Sequence, residues 1–575
     1  MSLKKLSKGE ISSLLDSIRD EYYNSCALKN YSKERVYYLA FSSIDAIFIE
    51  LLYSSITKGG NFLDAYFPAI RNAVREELVM FKNNPSGNYD LDPIDKALFN
   101  IQKQTLKNLC EFNIIRNRLE VAYIGDVGLY YDSSTKYMEG TQESNSAMLA
   151  RYEDVEKYSY NKDSFEKNGI DYFVSYIIGI RQAQILNFIS GNHSKIKWLN
   201  EKQFPSEQLP LIDVNNFIKL NKDLQKLIDF VKEDYISKRE VLNKYNFGEF
   251  EIDDFKEVYS CLMALCLNKM KLCYTYYISS DYAYNPTVIW KKDDLLSFIV
   301  YFSKLNIEKV RYIIEKFLVF RSDFQYFKGR EYLAIYQPIL SFNEYYIISS
   351  TMTLISRAQR KLIWQINKEA KTNELYRNTI SEMAHEKEEV MLSEMVKFLK
   401  QTKGSIKVNV KFHSEQTKDI ETEIDISLYD KQNNMLILIE CKDFLPMDNE
   451  FERSKQDEKL KEFAIDRATK NTTVENNLLK YMREVHNTGS MPAKVQTIIV
   501  SNHYAGSCTE DAPIAIVSKA TLFRTLKRFS FDIAKSFAAI TSGDIMPSGI
   551  KTMDRITKFN GYTLKCNIVD TSSIS

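Results

Sequence analysis

The feature that most constrains this chain is the run "MLILIECKDF" at 435–444. Read as a strand, it places Leu436, Leu438, Glu440 and Lys442 on one face and Ile437, Ile439 and Cys441 on the other. A strand apolar on both faces until its end is central in a sheet and covered by helices on both sides. Charged residues almost never enter such a core unless they are paired or bind a metal. Just before it, "EIDISLYD" at 423–430 alternates, with Ile424, Ile426 and Leu428 facing one way and Glu423, Asp425, Ser427 and Tyr429 the other. "KQNN" between the two runs is a hairpin link, so the expectation is that Asp425 lies beside Glu440, with Lys442 one step further along that face.

The surroundings fit one α/β unit. "SEMAHEKEEVMLSEMVKFLKQTKG" is an amphipathic helix with Gly404 as its stop. "SIKVNVKFH" supplies a further strand, a charged helical stretch fills roughly 450–485, and "VQTIIVSN" and "PIAIVS" are short β-rich runs before the helical "KATLFRTLKRFSFDIAKSFAAI". The order is helix, three strands, helix, two strands, helix.

Two carboxylates converging at a strand end repel. A hard divalent cation with oxygen ligands removes that conflict, and Mg²⁺ is the usual choice beside phosphates. A lysine in the same cluster can orient or deprotonate a water and offset charge in a transition state. Together these are the equipment of metal-assisted phosphodiester hydrolysis. A D…ExK string alone is short and occurs by chance; face alternation, the hairpin link and the flanking helices are what distinguish this one from a decorated surface strand.

Asp425, 14 intervening residues and then Glu440-Cys441-Lys442 resemble the motif of the PD-(D/E)xK nucleases, over roughly residues 380–530. The resemblance implies a restriction-endonuclease-like core, Asp425 and Glu440 as ligands of Mg²⁺ or Mn²⁺, and Lys442 as a catalytic residue. Ile424 stands where that family usually has proline. Members also carry a glutamate on the first core helix that assists the metal; Glu394 is the preferred match, with Glu389 and Glu388 as competitors. "NLLKY" offers Asn477 and Tyr481 at the spacing of a Gln-x-x-x-Tyr pattern without its glutamine, and Tyr481 reads as helix packing. His385 is ambiguous, and His503 ends a β-rich run where a surface role outweighs metal ligation.

Phosphate contacts are sought among local cations, because the 575-residue chain has a net charge of only +1. Arg467 and Lys470 lie on the helix after the motif. Arg524, Lys527 and Arg528 in "LFRTLKRF" stand at three- and four-residue spacing and can form a stripe. It lies in a basic segment, Lys519 to Lys565, whose alternative reading is a solvated helix face followed by a loose tail.

The length suggests about three or four domain-sized units. The first three-fifths read as mainly helical, with a polar connection over 130–164, and "EYLAIYQPILSFNEYYIIS" reads as a hairpin around "SFNE" with Pro338 at an edge strand. The expected division is a helical region over 1–130, a second over 165–325, a hairpin and linking helix over 326–378, and the nuclease-like unit over 379–575. The fold class is therefore multidomain α+β. Cys261, Cys266 and Cys273 lie in an apolar helical pattern and read as buried small hydrophobes rather than zinc ligands. "YLAFSSIDAIFIELLYSSI" contains Asp45 and Glu50 and reads as a buried helix, and the first residues become charged too soon for a signal peptide. The expectation is a cytoplasmic protein with no membrane segment. The expected function is that of a metal-dependent nuclease, with DNA favoured over RNA as substrate. The helical part would serve recognition, regulation, a protein partner or homo-oligomerisation. A Lys-, Asn- and Ile-rich composition suits a low-GC bacterial or mobile-element origin, and a nuclease of this class suggests a role in defence against phage or foreign DNA. The competing readings are a scaffold that binds nucleic acid without cutting it, and an RNA-directed nuclease.

Overall fold

The computed structural model describes residues 3–58, 62–87, 96–125, 127–141, 148, 149, 152, 224–236, 245–280, 287–320, 337–355, 358–413, 421–444, 450–502, 512–545 and 551–569. The run "DYFVSYIIGIRQAQILNFIS" at 171–190, whose three- and four-residue apolar spacing predicts a helix, the break predicted at "NEKQFPSEQLPLID" (200–213) and His503 lie outside them. The described residues form a mixed α+β protein with two large bodies.

The first body begins with β1 (Lys4–Lys5), α1 (Lys8–Ser25), α2 (Lys33–Lys58), α3 (Phe62–Met80) and α4 (Lys96–Ile124). The start of α1 is fixed by a capping box: Ser7 accepts from the Glu10 backbone while the Glu10 side chain reaches back to the Ser7 N–H. Then come β2 (Leu129–Asp132), β3 (Tyr137–Gly140), α5 (Leu224–Phe230), α6 (Ile252–Ser280), β4 (Val288–Lys291), α7 (Lys292–Ser303), α8 (Ile307–Ile313), β5 (Ile339–Phe342), β6 (Tyr345–Ile348), α9 (Ser350–Ile355) and α10 (Ala358–Glu369). The expected hairpin is β5–β6, with β5 at the edge of the sheet order β4-β6-β5. The polar connection expected over 130–164 is corrected in its first part. "YYDSSTKYMEG" folds as the β2–β3 hairpin, because the Asp132 carboxylate binds the Ser134 N–H and closes the turn.

One contiguous apolar core runs from Ile11 through Tyr38, Phe112, Cys261, Phe317 and Ile347 to Met383. The boundaries expected near 130, 165 and 326 therefore separate no cores. Cys261, Cys266 and Cys273 are all buried in α6. In α2, Asp45 is fully buried; it accepts from the Thr287 and Ser349 hydroxyls at 2.6 and 2.7 Å and from the Ser350 and Thr351 N–H groups at the start of α9. A remote carboxylate thus caps α9, which explains a charge inside an otherwise apolar helix. Between α3 and α4, Glu76 is likewise fully buried, with Arg75 Nη2 and Arg116 Nη1 each 2.7 Å from its Oε1; Arg75 also donates to Asn113 at 3.0 Å.

The second body holds α11 (Glu374–Leu399), β7 (Ser405–His413), β8 (Glu421–Asp430), β9 (Met435–Lys442), α12 (Glu450–Glu475), α13 (Leu478–His486), β10 (Lys494–Ser501), β11 (Ala515–Ser518), α14 (Lys519–Arg528) and α15 (Ile533–Ser542). Its sheet has the order β11-β10-β9-β8-β7, with β9, β10 and β11 parallel and β8 and β7 antiparallel. β9 is central, and Leu436, Ile437, Leu438 and Ile439 are each at most 1% exposed. α11, α14 and α15 supply the core on one face, and α12 and α13 those on the other. α11 starts earlier than expected, because the Asn373 side chain accepts from the Leu375 and Tyr376 N–H groups. Gly404 is not the helix stop, since the helix ends at Leu399; a Cβ at Gly404 would stand 2.4 Å from Leu428 Cδ1 and 3.0 Å from Ile533 Cδ1, so a larger residue there would displace buried side chains.

The chain then returns to the first body. β12 (Thr552–Phe559) and β13 (Tyr562–Val569) form a hairpin that completes the sheet β1-β2-β3-β13-β12, with β13 parallel to β3. Phe559, Tyr562, Leu564 and Cys566 join the first body's core, and Arg118 donates to the Asn567 carbonyl at 3.0 Å. The loose tail expected after α15 is thus partly an ordered hairpin, and the unit expected over 379–575 stops near 545. It is inserted into the first body's chain. No helix among the described residues is long and apolar enough to cross a membrane.

Candidate active site

The site forms where β8 and β9 part. Their ladder runs from Asp430↔Met435 to Ile426↔Ile439, so the next opposed residues are Asp425 and Glu440. Instead of continuing the ladder, the Asp425 carboxylate accepts the Cys441 N–H at 2.6 Å. The regular alternation expected along β8 is corrected here. Ile424 packs with Val410, Phe412, Tyr429, Leu436 and Leu438, whereas Ile426 and Leu428 pack in the core on the opposite face. The alternation switches at Asp425, opposite Asn409 of β7, whose φ is +51°.

Glu440 holds Lys442 Nζ at 2.9 Å from Oε1 and Arg467 Nη1 at 3.5 Å from Oε2. Arg467, on α12 and only 4% exposed, donates to the Glu423 carbonyl at 2.6 Å and so ties α12 to the diverging strand. Its Nε and Nη2, and Glu440 Oε2, are buried without a hydrogen bond. Lys442 Nζ stands 5.1 Å from the Phe463 ring centroid, a cation–π contact. A cleft of about 470 Å³ opens over these groups, bounded by α11 (His385, Glu388, Glu389, Leu392), β7 (Asn409, Lys411) and α12 (Phe463, Asp466, Arg467, Lys470). Six carboxylates line it against four lysine and arginine side chains, so the protein alone leaves it negative.

Burial and then the neighbouring Glu440 raise the Asp425 carboxyl to about 6, against the opposing pull of the Cys441 N–H and Lys442; Glu388 also raises it. Burial works to lower the Lys442 pKa, but Glu440, Asp425 and Glu388 outweigh it and the ammonium is favoured. Burial likewise raises Asp443 to about 6.

Among the described residues no group of three or more His, Cys, Asp and Glu converges as a metal cluster. The fit of a divalent cation therefore rests on two carboxylates. Mg²⁺ is commonly held by only one or two carboxylates, with waters and substrate phosphates completing its shell. The raised Asp425 and Glu440 Oε2, which is buried without a hydrogen bond and has only the Arg467 guanidinium at 3.5 Å, are the desolvated oxygens that such an ion relieves, so the donor set fits.

Of the residues expected at the site, Asp425, Glu440, Lys442, Arg467 and Lys470 come together; Lys470 is paired with Asp466 at 2.8 Å. Glu394 does not join them. It is bound to Lys519 of α14, and the cleft takes Glu388 and Glu389 instead, one to two helical turns earlier. The Arg524–Lys527–Arg528 stripe is not part of the cleft wall. Arg524 is half-buried, with its guanidinium carbon 5.1 Å from the Tyr152 ring, and Arg528 is 3.5 Å from Asp544. Tyr481 is fully buried against Phe412, in keeping with a packing role. Sequence reasoning passed over Asn409, Lys411 and Phe463. Their spacing carried no signal, since only the three-dimensional course of β7 and α12 brings them to the cleft. Compared with known proteins, the chain matches no family model, no curated protein and no solved structure.

Proposed function

We propose that the cleft over β8 and β9 hydrolyses phosphodiester bonds with Mg²⁺ or Mn²⁺, in the manner of the PD-(D/E)xK nucleases that the Asp425…Glu440-Cys441-Lys442 motif resembles. The single observation carrying this reading is the meeting of two largely buried carboxylates, Asp425 and Glu440, the latter with one oxygen lacking a hydrogen bond, and a lysine 2.9 Å from Glu440, all lining one cleft. Asp425 and Glu440 would hold the cation, and the ion would supply positive charge to polarise a phosphoryl group. Glu388 stands nearest in role to the helix glutamate of that family. Lys442, kept protonated by Glu440, offsets the negative charge that grows on the phosphoryl oxygens. Arg467 restrains Glu440 and the end of β8, and Lys411 and Lys470 face the backbone of an entering strand.

DNA is the favoured substrate and RNA the alternative. The first body selects the substrate, receives a partner or restrains the cleft; α12, which carries four cleft residues, also packs on α4, giving a direct route between the two. The test is incubation of the purified chain with duplex DNA, single-stranded DNA and RNA, each with Mg²⁺ or Mn²⁺, beside Lys442→Ala. Metal-dependent cleavage lost in the variant supports the reading. Binding without cleavage in both proteins establishes the scaffold reading instead.

A further inference from the structure

Asn409 is a cleft residue for which the proposed chemistry has no use, yet its backbone is the least ordinary there. It lies in the middle of β7 with φ at +51°, where strand residues stand near −120° to −140°. Asparagine tolerates this left-handed region better than most residues, and such outliers persist where the surroundings hold them, often at functional sites. The pairs on either side, Val408↔Ile426 and Val410↔Ile424, keep one register. No residue is inserted, so this is not a bulge; the strand changes faces at one position.

The effect appears in both strands. In β7, Ile406 packs on the α11 side, while Val410 and Phe412 belong to the core on the α13 side. In β8 the change falls between Ile424 and Ile426. β9 has no such switch: Leu436 and Leu438 stay on one face and Ile437, Ile439 and Cys441 on the other. The switch is thus confined to the two strands beside the cleft and centred on the opposed residues Asn409 and Asp425. At that point the Asp425 carboxylate meets the Cys441 N–H, beyond the last β8–β9 pair.

We infer that Asn409 is a positioning residue: its left-handed backbone sets where the Asp425 carboxylate stands relative to Glu440, and thereby the cation affinity of the cleft. The second half rests on the proposed role of Asp425 and Glu440; the first half does not. Three variants of the full chain separate the backbone from the side chain. Asn409→Gly keeps the left-handed region accessible and removes the amide. Asn409→Val favours regular strand geometry and excludes that region. Asn409→Ala is the milder form of the same change and replaces Val should Val not fold.

Two measurements are read, the crystal structures of the variants and calorimetric titration with Mn²⁺. The Asp425–Cys441 contact is expected to survive in Asn409→Gly, with Mn²⁺ affinity within about twofold of the parent. In Asn409→Val the contact is expected to break and the affinity to fall at least tenfold, while the melting temperature holds or rises. A merely structural residue would lower stability and affinity together. Retention of both contact and affinity in the Val variant overturns the inference, as does an equal loss in the Gly variant, which would assign the effect to the amide. If the parent binds no Mn²⁺, the cation reading fails, and the crystallographic contact, kept in Gly and lost in Val, still decides the positioning role.

Discussion

Two groups of buried charge in this protein have opposite characters. Around Glu76, two arginines close on one carboxylate oxygen at 2.7 Å, and every member is at most 2% exposed. Glu120, 3.7 Å from Arg116, supplies the second carboxylate, so charge is matched, and the cluster joins α3 to α4. Around Glu440, the carboxylates outnumber the cations, one oxygen lacks a hydrogen bond, and a cleft leads in. A sealed and balanced cluster stabilises the fold; an open and unbalanced one costs stability and has a use for a missing counter-charge.

That contrast breaks first at Asp425. Asp425→Asn should reduce metal-dependent cleavage on the order of 10³-fold while leaving the melting temperature equal or higher, since it removes repulsion with Glu440. A collapse of the fold in calorimetry would place the cleft charges in the same structural class as Glu76. Next comes Glu76→Gln, which removes the carboxylate that Arg75 and Arg116 both close on, leaving Glu120 at 3.7 Å as the acidic neighbour of Arg116. It should destabilise by about 3–5 kcal/mol in urea unfolding without altering the Mn²⁺ affinity of the protein that remains folded; changed affinity would show that the two clusters communicate.

The pH dependence sharpens the difference further. Asp425 has its carboxyl raised from 3.8 to about 6. Its proton competes with the cation, so Mn²⁺ affinity should be level above about pH 6 and fall by about tenfold per unit below it. The same shift means that the native state takes up this proton more readily than the unfolded chain, so its own contribution makes the fold more stable as pH falls from about 6 to about 4. Titration of Mn²⁺ binding from pH 5 to pH 8 checks the first statement, and a flat profile removes Asp425 from the ligand set.

The smallest effect is expected at Glu394. Its partly exposed pair with Lys519 is worth at most about 1 kcal/mol, so Glu394→Gln should leave Mn²⁺ binding unchanged, whereas Glu388→Gln should weaken it severalfold. Equal effects from the two would restore Glu394 to the site.

What the sequence disclosed was local. Four successive apolar residues marked β9 as the covered central strand, and a hairpin-length link put Asp425 opposite Glu440. What it concealed depends on distance or on one dihedral. Strict alternation assigned Ile424 to the wrong face, because nothing in "KVNVKF" announces that Asn409 adopts a left-handed backbone. Three glutamates at 388, 389 and 394 compete on one helix, and only the packing of that helix, which turns Glu394 to Lys519, tells them apart. The β12–β13 hairpin did leave a signal: Asn560-Gly561 between alternating residues, with φ of +46° and +81°, is a two-residue hairpin turn. Its partner β3 could not be read, because a parallel pairing so distant in sequence leaves no periodicity behind.

That pairing has a consequence for synthesis. About 420 residues separate Gly140 from Tyr562. At roughly 5–20 residues per second, on the order of 20–80 s pass between the emergence of β3 and that of β13. During that interval the inserted body, from α11 to α15, is fully made while β3 still presents an unpaired edge. The cleft residues are therefore all made before the first body's sheet is closed, and a chain halted near residue 545 would carry every one of them without the strand that locks the first body.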